Sequence, residues 1–246
     1  MVWEAHQIAA ALVRPGITTR EIDAAVDRFF VERKAIPLFK GVPGKVPFPA
    51  VTCISVNDEV VHGIPGDRLL KEGDIVSIDT GCKLDGWCGD AAVTHPVGRV
   101  EPEVARLLEV TSGVLSLAID LMGKRTRWSQ VAAEMATYVR DAGFAVVESF
   151  VGHGIGREMH EDPQVPNFVS SQLRRNGDFS LEPGLVIAVE PMVNVGSKLV
   201  KTMPDHWTQA TQDGKLSAHF EHTIAITENG PWVLTAGPEV REPGRD

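Results

Sequence analysis

The chain has 246 residues, of which 43% are hydrophobic and 23% charged, and this is the composition of a globular chain with one core. Its formal net charge of −9 argues against a nucleic-acid groove and against binding to an anionic membrane surface. No apolar run reaches the roughly 18 residues of a membrane helix, and the three cysteines cannot complete a disulfide framework, which favours a reducing cytoplasm.

The first half of the chain begins with two predicted helices. Apolar residues recur at helical spacing over residues 3–13, and a capping box formed by Thr18 and Glu21 precedes a second helix over residues 20–35. Residues 37–50 contain four prolines and two glycines, which predicts a loop long enough to cover a site. A buried strand over residues 51–57 and a hairpin over residues 75–98 follow.

The second half repeats this alternation of helices and strands. Helices are predicted over residues 101–122 and 128–144, and strands over residues 185–195, 206–212 and 216–228. Asp213-Gly214 predicts a hairpin turn between the last two strands. We expect one α+β domain over residues 1–246, with halves of about 1–122 and 123–236 and a loose polar tail over 237–246.

An internal repeat supports the division into two halves. The segments LKEGDIVSID (70–79) and LEPGLVIAVE (181–190) share one layout, which ends on an acid nine positions after the leucine. Each is preceded by His-Gly-Ile and followed by a second acid at the start of an apolar strand, Asp90 or Glu221. Two related halves would bring these residues together around a pseudo-two-fold axis.

Asp79 and Asp90 lie on the two arms of the predicted hairpin, almost equidistant from its Leu84-Asp85-Gly86 turn. In an antiparallel pair such residues place their side chains on one face, with Cβ atoms about 5 Å apart. Two ionised carboxylates at that distance repel each other, and burial increases the cost. A single aspartate in a strand usually points to solvent, but here four acids lie in apolar strands, and we interpret them as facing inward.

The last predicted strand has one polar and one apolar face. His219, Glu221 and Thr223 share the first face, which we expect to border a site, and the other face should pack on helices. Arginines could neutralise the clustered acids, but few lie near these segments. Divalent metal ions would supply the positive charge instead. Four carboxylates balance two such ions, and oxygen ligands with one imidazole suit Mn, Fe, Co or Zn. Two ions can activate water and polarise a carbonyl group.

Five segments resemble the motif blocks of type I, bacterial methionine aminopeptidases, in that family's order and over residues 5–236. The segments are NDEVVHGIP, DIVSIDTGCKLDGWCGDAA, GHGIGREMHEDP, VIAVEPMVN and SAHFEHTIAIT. The resemblance implies the pita-bread fold, in which a curved antiparallel sheet is covered by helices. It also implies a metallopeptidase that removes the initiator methionine of nascent chains, at the ribosome, when the second residue is small.

Position by position, the resemblance makes five residues the ligands of two divalent ions: Asp79, Asp90, His153, Glu190 and Glu221. Asp90 and Glu221 match the bridging pair, and Glu190 would also take part in proton transfer. His62 and His160 match the histidines that contact the scissile amide and stabilise the tetrahedral intermediate. The methionine pocket would be lined by Phe48, Cys53, Met159 and Trp207, each of which could equally be ordinary core.

Two residues depart from the family's pattern. His219 stands where glutamine is common and would lie at the substrate site, where a histidine could shift the metal or pH preference. Met159 stands where an aromatic residue is frequent. The chain should act as a monomer on peptides, without nucleic-acid or membrane partners.

Two other functions remain open from the sequence. A prolidase or Xaa-Pro aminopeptidase uses the same fold and ligands, although such enzymes usually carry a large N-terminal domain and this chain begins close to its first helix. A non-catalytic binding protein of the same fold would be expected to have lost ligands, whereas all five positions are filled here.

Overall fold

A computed structural model of the protein describes residues 1–240, 243 and 244. Its α-helices are α1 (Val2–Leu12), α2 (Thr19–Arg33), α3 (Pro102–Met122) and α4 (Trp128–Asp141). The capping box is present at α2, where the Glu21 amide donates to the Thr18 hydroxyl and the Glu21 carboxylate accepts from the Thr18 amide. Helix α3 has a proline in its first turn and ends before Gly123. All four predicted helices are confirmed, with their ends shifted by at most three residues.

The strands form one large and two small antiparallel sheets. They are β1 (Ile36–Pro37), β2 (Cys53–Val56), β3 (Glu59–Val61), β4 (Ile75–Leu84), β5 (Trp87–Pro96), β6 (Ala145–Val146), β7 (Gly152–Gly154), β8 (Glu161–Val165), β9 (Val186–Val189), β10 (Met192–Asn194), β11 (Val200–Thr202), β12 (Gln209–Thr211), β13 (Ser217–His219), β14 (Glu221–Thr227) and β15 (Gly230–Val233). The large sheet runs β1-β4-β5-β14-β9-β7-β8, with β2 also on β4 and β15 also on β14. The pair β4–β5 comes from the first half and β9–β14 from the second, and the two pairs meet where β5 contacts β14.

Helices cover one face of the large sheet. In the first half, Ile22 and Phe30 of α2 pack with Val76 and Ile78 of β4 in one apolar cluster. In the second half, α3 and α4 pack with Ile187, Val189, Ile224 and Ile226 in another cluster. The predicted α+β class is therefore confirmed, and the opposite face of the sheet is left for the acids. No α-helix within the described residues is long and apolar enough to cross a lipid bilayer.

The second half departs from the sequence prediction at two strands. The predicted strand 185–195 is broken at Glu190-Pro191, because a proline has no N–H with which to continue the ladder. The predicted strand 216–228 is likewise broken at Phe220. In each case the chain passes from a small sheet to the large one or back.

The hairpin predicted at Asp213-Gly214 is wrong. A turn exists there, with Gly214 at φ +70°, but β12 pairs with β3 and β11 whereas β13 pairs with β10. The Asp213 carboxylate accepts hydrogen bonds from the Ser197 and Lys215 amides. It therefore also holds the connection between β10 and β11, in which Ser197 lies. The predicted loose tail lies partly outside the described residues.

Candidate metal centre

The register of the large sheet places three of the predicted ligands in one row across the strands. Asp79 of β4 pairs with Ala92 of β5, and Ala92 pairs with Glu221 of β14. Glu190 directly follows β9, whose register against β14 places it beside Glu221. Residues opposite each other in an antiparallel sheet share a face, so the three carboxylates project to the same side.

A second row, two residues along the strands, contains the other two predicted ligands on the same face. Asp90 pairs with Gly81 and is bound on its other side to Thr223, whose hydroxyl accepts from the Asp90 amide (3.0 Å) and donates to its carbonyl (2.8 Å). His153 of β7 pairs with Ala188, which in turn pairs with Thr223. The sheet therefore gathers Asp79, Asp90, His153, Glu190 and Glu221, which lie as far as 142 residues apart in the chain (221 − 79).

The side chains of these two rows converge. One ligand atom each from Asp90, His153 and Glu221 lies within 4.8 Å of the others, and Glu190 Oε1 lies 3.7 Å from His153 Nε2. Gly81 makes this convergence possible, because a Cβ there would lie 2.8 Å from Asp90 Oδ1.

Burial and mutual repulsion govern the charge of the acids. Burial raises the pKa of Asp90 to about 7. Burial, followed by the negative charges of its neighbours, raises the pKa of Asp79, of Glu190 and of Glu221 well above its ordinary value. Within the described residues, Asp79 Oδ1 and Glu221 Oε1 are buried and have no hydrogen-bond partner. Such a group of oxygens is suited to a bound cation.

His153 is oriented as a ligand. Its Nδ1 lies 2.9 Å from the carbonyl oxygen of Gly154, so Nδ1 carries the proton and Nε2 keeps its lone pair toward the acids. Burial lowers the pKa of His153 to about 4, so the ring is neutral near pH 7 and its contact with Glu190 is not an ion pair. The donor set of four carboxylates and one neutral imidazole fits divalent transition metals such as Mn, Fe, Co or Zn.

Two further predicted histidines flank the acids. His160 precedes β8, and its ring meets that of His153 edge to face, with centroids 4.4 Å apart. His62 follows β3 with φ +61°, and its ring packs edge to face on Phe150 at 5.4 Å. Burial lowers the pKa of His62 to about 4 and also lowers that of His160, so both rings are neutral near pH 7.

Beside the acids lies an apolar chamber with a volume of about 190 Å³. All four residues predicted for the methionine pocket line it: Phe48, Cys53, Met159 and Trp207. The ring of Phe48 meets that of Trp207 edge to face at 5.2 Å, and the indole N–H of Trp207 donates to the Val46 carbonyl (2.7 Å). Asp79, Asp90, His153, Glu190 and Glu221 line the same chamber, so an apolar side chain inside it would lie directly beside the carboxylates.

His219 does not line this chamber. It borders a second cavity of about 560 Å³, which shares His62, Asp79, His153, His160 and Glu190 with the first. His219 is 2% exposed, and its Nε2 lies 3.9 Å from Glu190 Oε2 and has no hydrogen-bond partner within the described residues. The two cavities therefore adjoin at three histidines and two of the predicted acidic ligands.

Sequence reasoning missed several residues of the site. Phe39 and Val42, in the proline-rich loop, complete the apolar chamber, and Phe150 lines the second cavity. Thr223, whose position on the polar face with Glu221 was predicted, holds the backbone of Asp90, and this role was not predicted. The loop residues carry no spacing that marks them.

Comparison with known proteins gives consistent matches over nearly the whole chain. The sequence model of metallopeptidase family M24 matches residues 1–228. Methionine aminopeptidase 1 of Bacillus subtilis is 48% identical over 230 residues, covering 94% of this chain and 90% of the relative. Methionine aminopeptidase of Escherichia coli is 39% identical, covering 94% of this chain and 86% of the relative.

Solved structures agree with these sequence matches. The crystal structure of methionine aminopeptidase from Thermotoga maritima superimposes with a TM-score of 0.90 at 41% identity, covering 96% of this chain and 92% of that one. Prolidase from Pyrococcus furiosus gives a TM-score of 0.71 at 20% identity, covering 96% of this chain and 60% of that one. The second likeness shows a shared fold and nothing more.

Proposed function

The chain belongs to metallopeptidase family M24 and within it to the bacterial type I methionine aminopeptidases, and on this premise we propose that it removes N-terminal methionine from peptides and nascent chains. The observation that carries the proposal is the convergence of four carboxylates and three neutral histidines beside an apolar chamber. A chamber of this kind would hold an uncharged side chain next to the bond that is hydrolysed.

Two divalent ions would be held by the five predicted ligands, Asp79, Asp90, His153, Glu190 and Glu221, of which Asp90 and Glu221 would serve both ions. Support comes from the unpartnered buried oxygens of Asp79 and Glu221 and from the orientation of the His153 ring. When bound, such ions supply an activated water nucleophile at neutral pH and polarise the peptide carbonyl.

His62 and His160 would bind the scissile amide. Both are neutral near pH 7 because burial lowers their pKa, so each ring offers one N–H donor and one acceptor. An N–H group pointing at the developing oxyanion stabilises the tetrahedral intermediate, and in a site shielded from water this effect is large. Their place between the two cavities supports this role, since the scissile bond joins the methionine to the rest of the peptide.

Glu190 would carry a proton during the reaction. Burial, and then the charge of Asp90, raise its pKa well above the ordinary value, so the carboxyl group takes up a proton more readily than an exposed glutamate does. It borders both cavities, and it is therefore close to the amide nitrogen that must be protonated as the bond breaks.

The methionine side chain would be enclosed by the residues of the apolar chamber: Phe48, Cys53, Met159 and Trp207, with Phe39 and Val42. Recognition by shape alone discriminates weakly, because one methylene changes binding by about 1–3 kcal/mol. His219 would contact the part of the substrate after the methionine, since it lines the second cavity.

The buried thiol of Cys53 stays protonated because burial raises its pKa. All three cysteines are free thiols, which supports a reducing cytoplasm as the place of action.

A peptide panel tests the proposal. Met-Gly, Met-Ala and Met-Leu peptides are compared with Leu-Ala and Xaa-Pro peptides, each with Mn²⁺, Fe²⁺, Co²⁺ or Zn²⁺ added to metal-stripped protein. We expect release of methionine from Met-Gly and Met-Ala peptides only. Cleavage of Xaa-Pro peptides instead would assign the prolidase activity, and metal binding without any cleavage would assign a non-catalytic protein.

A further inference from the structure

The bend 156–160, between β7 and β8, lies against the tip of the β4–β5 hairpin. The Cys88 amide donates to the Gly156 carbonyl (2.8 Å), and Arg157 Nη1 donates to the Gly86 carbonyl (3.2 Å). The Arg157 guanidinium also lies over the ring of Trp87, 3.6 Å from its centroid. These contacts join a segment of the second half to the hairpin that carries Asp79 and Asp90.

The hairpin tip has the geometry that this contact requires. Asp85 and Gly86 have φ of +51° and +82°, so they form a two-residue turn of type I′, which exposes the Gly86 carbonyl. Trp87 begins β5 and is 57% exposed, so its ring is free to receive a cation rather than being part of the core. An ion pair between Lys83 and Glu158 (3.3 Å) adds a second link between the two segments.

The bend carries His160, three residues after Arg157. Within the bend, the Gly156 amide donates to the Glu158 carbonyl (3.1 Å), and the Glu158 amide donates to the Glu161 carboxylate (2.8 Å). These bonds make the bend one compact unit, so a displacement of Arg157 is transmitted to His160. Beyond the bend, the His160 side chain meets only the His153 ring among the aromatic contacts of the described residues.

We infer that the Arg157–Trp87 stack is a positioning device, which fixes His160 relative to the carboxylates on the hairpin. This inference rests on the proposed function, in which His160 binds the scissile amide. Neither Arg157 nor Trp87 lines the chamber, so neither is a catalytic residue. The Arg157 guanidinium contacts the Trp87 ring and the Gly86 carbonyl at the same time. Both contacts are to the tip of the hairpin, so together they hold the bend against it.

Steady-state kinetics on a Met-Gly peptide, at saturating metal, test the inference. Because a displacement of about 1 Å at a reacting group can cost orders of magnitude in rate, we expect Arg157→Ala and Trp87→Ala each to lower kcat roughly tenfold, with KM within about twofold of wild type. The double variant should lose no more than Arg157→Ala, since that substitution already removes the whole stack. Trp87→Phe, which keeps a ring under the cation, should recover most of the activity.

Two comparisons separate positioning from a general loss of structure. Arg106→Ala is the matched control, because Arg106 also lies over an aromatic ring (Phe144, 5.6 Å) and donates to a carbonyl (Ala142, 2.7 Å), but on α3. It should leave kcat unchanged. In a His160→Ala background, Arg157→Ala should cause no further loss. Hydrogen exchange at the Cys88 amide should become faster in Arg157→Ala while the melting temperature stays the same.

The outcomes are distinguishable. An active wild type with an equally active Arg157→Ala variant, or a full further loss in the His160→Ala background, would overturn the inference and leave the proposed function standing. A wild-type protein that releases no methionine with any metal would overturn the proposed function and the inference together.

Discussion

Gly44 lies directly beneath the indole of Trp207, and a Cβ added at Gly44 would be 2.5 Å from Trp207 Cζ2. The indole N–H in turn donates to Val46, in the same loop. The loop 37–50 and the loop before β12, although far apart in the chain, therefore close over the apolar chamber as one unit. The contact requires a glycine at position 44 because there is no room for a side chain. The backbone conformation is not the reason, since the φ of Gly44 is not positive.

The first prediction concerns this contact. Gly44→Ala should displace Trp207 and widen the chamber, because the methyl group cannot fit beneath the ring. We expect KM for a Met-Gly peptide to rise several-fold while the melting temperature changes little, since the loop lies at the surface. Gly66→Ala is the control, because the nearest atom to an added Cβ there is 4.0 Å away. An unchanged KM in Gly44→Ala would show that Trp207 does not shape the pocket.

The second prediction concerns Asp90, which is 4% exposed among three other acids. Asp90→Asn should abolish methionine release, because a neutral amide is a poor ligand for a divalent ion. The Thr223 contacts are made by the backbone of Asp90, so the fold should be kept.

The same substitution should raise the melting temperature of the metal-stripped protein at pH 8, because it removes one of several buried, mutually repelling charges. Calorimetry and a peptide assay on one preparation check both effects. Full activity with added metal, or a lower melting temperature without it, would contradict this description of the site. Glu148→Gln, at an exposed acid outside the site, is the control.

The third prediction concerns His6, which lies in α1 on the helix-covered side of the sheet. Its Nε2 lies 2.8 Å from the Ala91 carbonyl oxygen, and its Nδ1 is buried without a partner within the described residues. Burial, and then the neighbouring His95 and His222, lower the pKa of His6 to about 4 from 6.5. The folded chain therefore keeps His6 neutral in a range where the unfolded chain protonates it.

As the pH falls from about 6.5 to about 4, protonation of His6 in the unfolded chain should lower the free energy of unfolding by an amount on the order of 3 kcal/mol. His6→Gln keeps a donor for the Ala91 carbonyl and cannot titrate, so it should lose less stability over this range. Urea unfolding of both proteins at several pH values measures the difference, with His206→Gln as a surface control. Parallel curves for wild type and His6→Gln would contradict the prediction.

Local patterns predicted the parts of the site that depend on one segment. The spacing of Asp79 and Asp90 about the Asp85-Gly86 turn fixed their common face, since the side-chain period of a strand is two residues. Pro191 could have been recognised as the end of the strand that carries Glu190, because it cannot donate to a ladder.

Pairings between distant segments were not predictable in the same way. Asp213-Gly214 forms a turn, as its residues require, but which strand each arm joins depends on β3, β10 and β11, which lie elsewhere in the chain. The location of His219 in a second cavity likewise follows from the break at Phe220, which no local signal marks. Phe39 and Val42 line the chamber together with Trp207, a distant residue that bonds to their loop at Val46.

Calorimetric titration of Mn²⁺ into metal-stripped protein at pH 7 tests most directly whether the residues of the two halves form one metal centre. We predict two ions per chain with release of protons, because burial raises the pKa of Asp90 to about 7 and also raises the pKa of Asp79 and of Glu221 well above its ordinary value. Glu221→Gln should bind fewer ions, and Glu182→Gln, at an exposed acid, should bind as wild type does. Absence of binding in the wild-type protein, or unchanged stoichiometry in Glu221→Gln, would contradict the account.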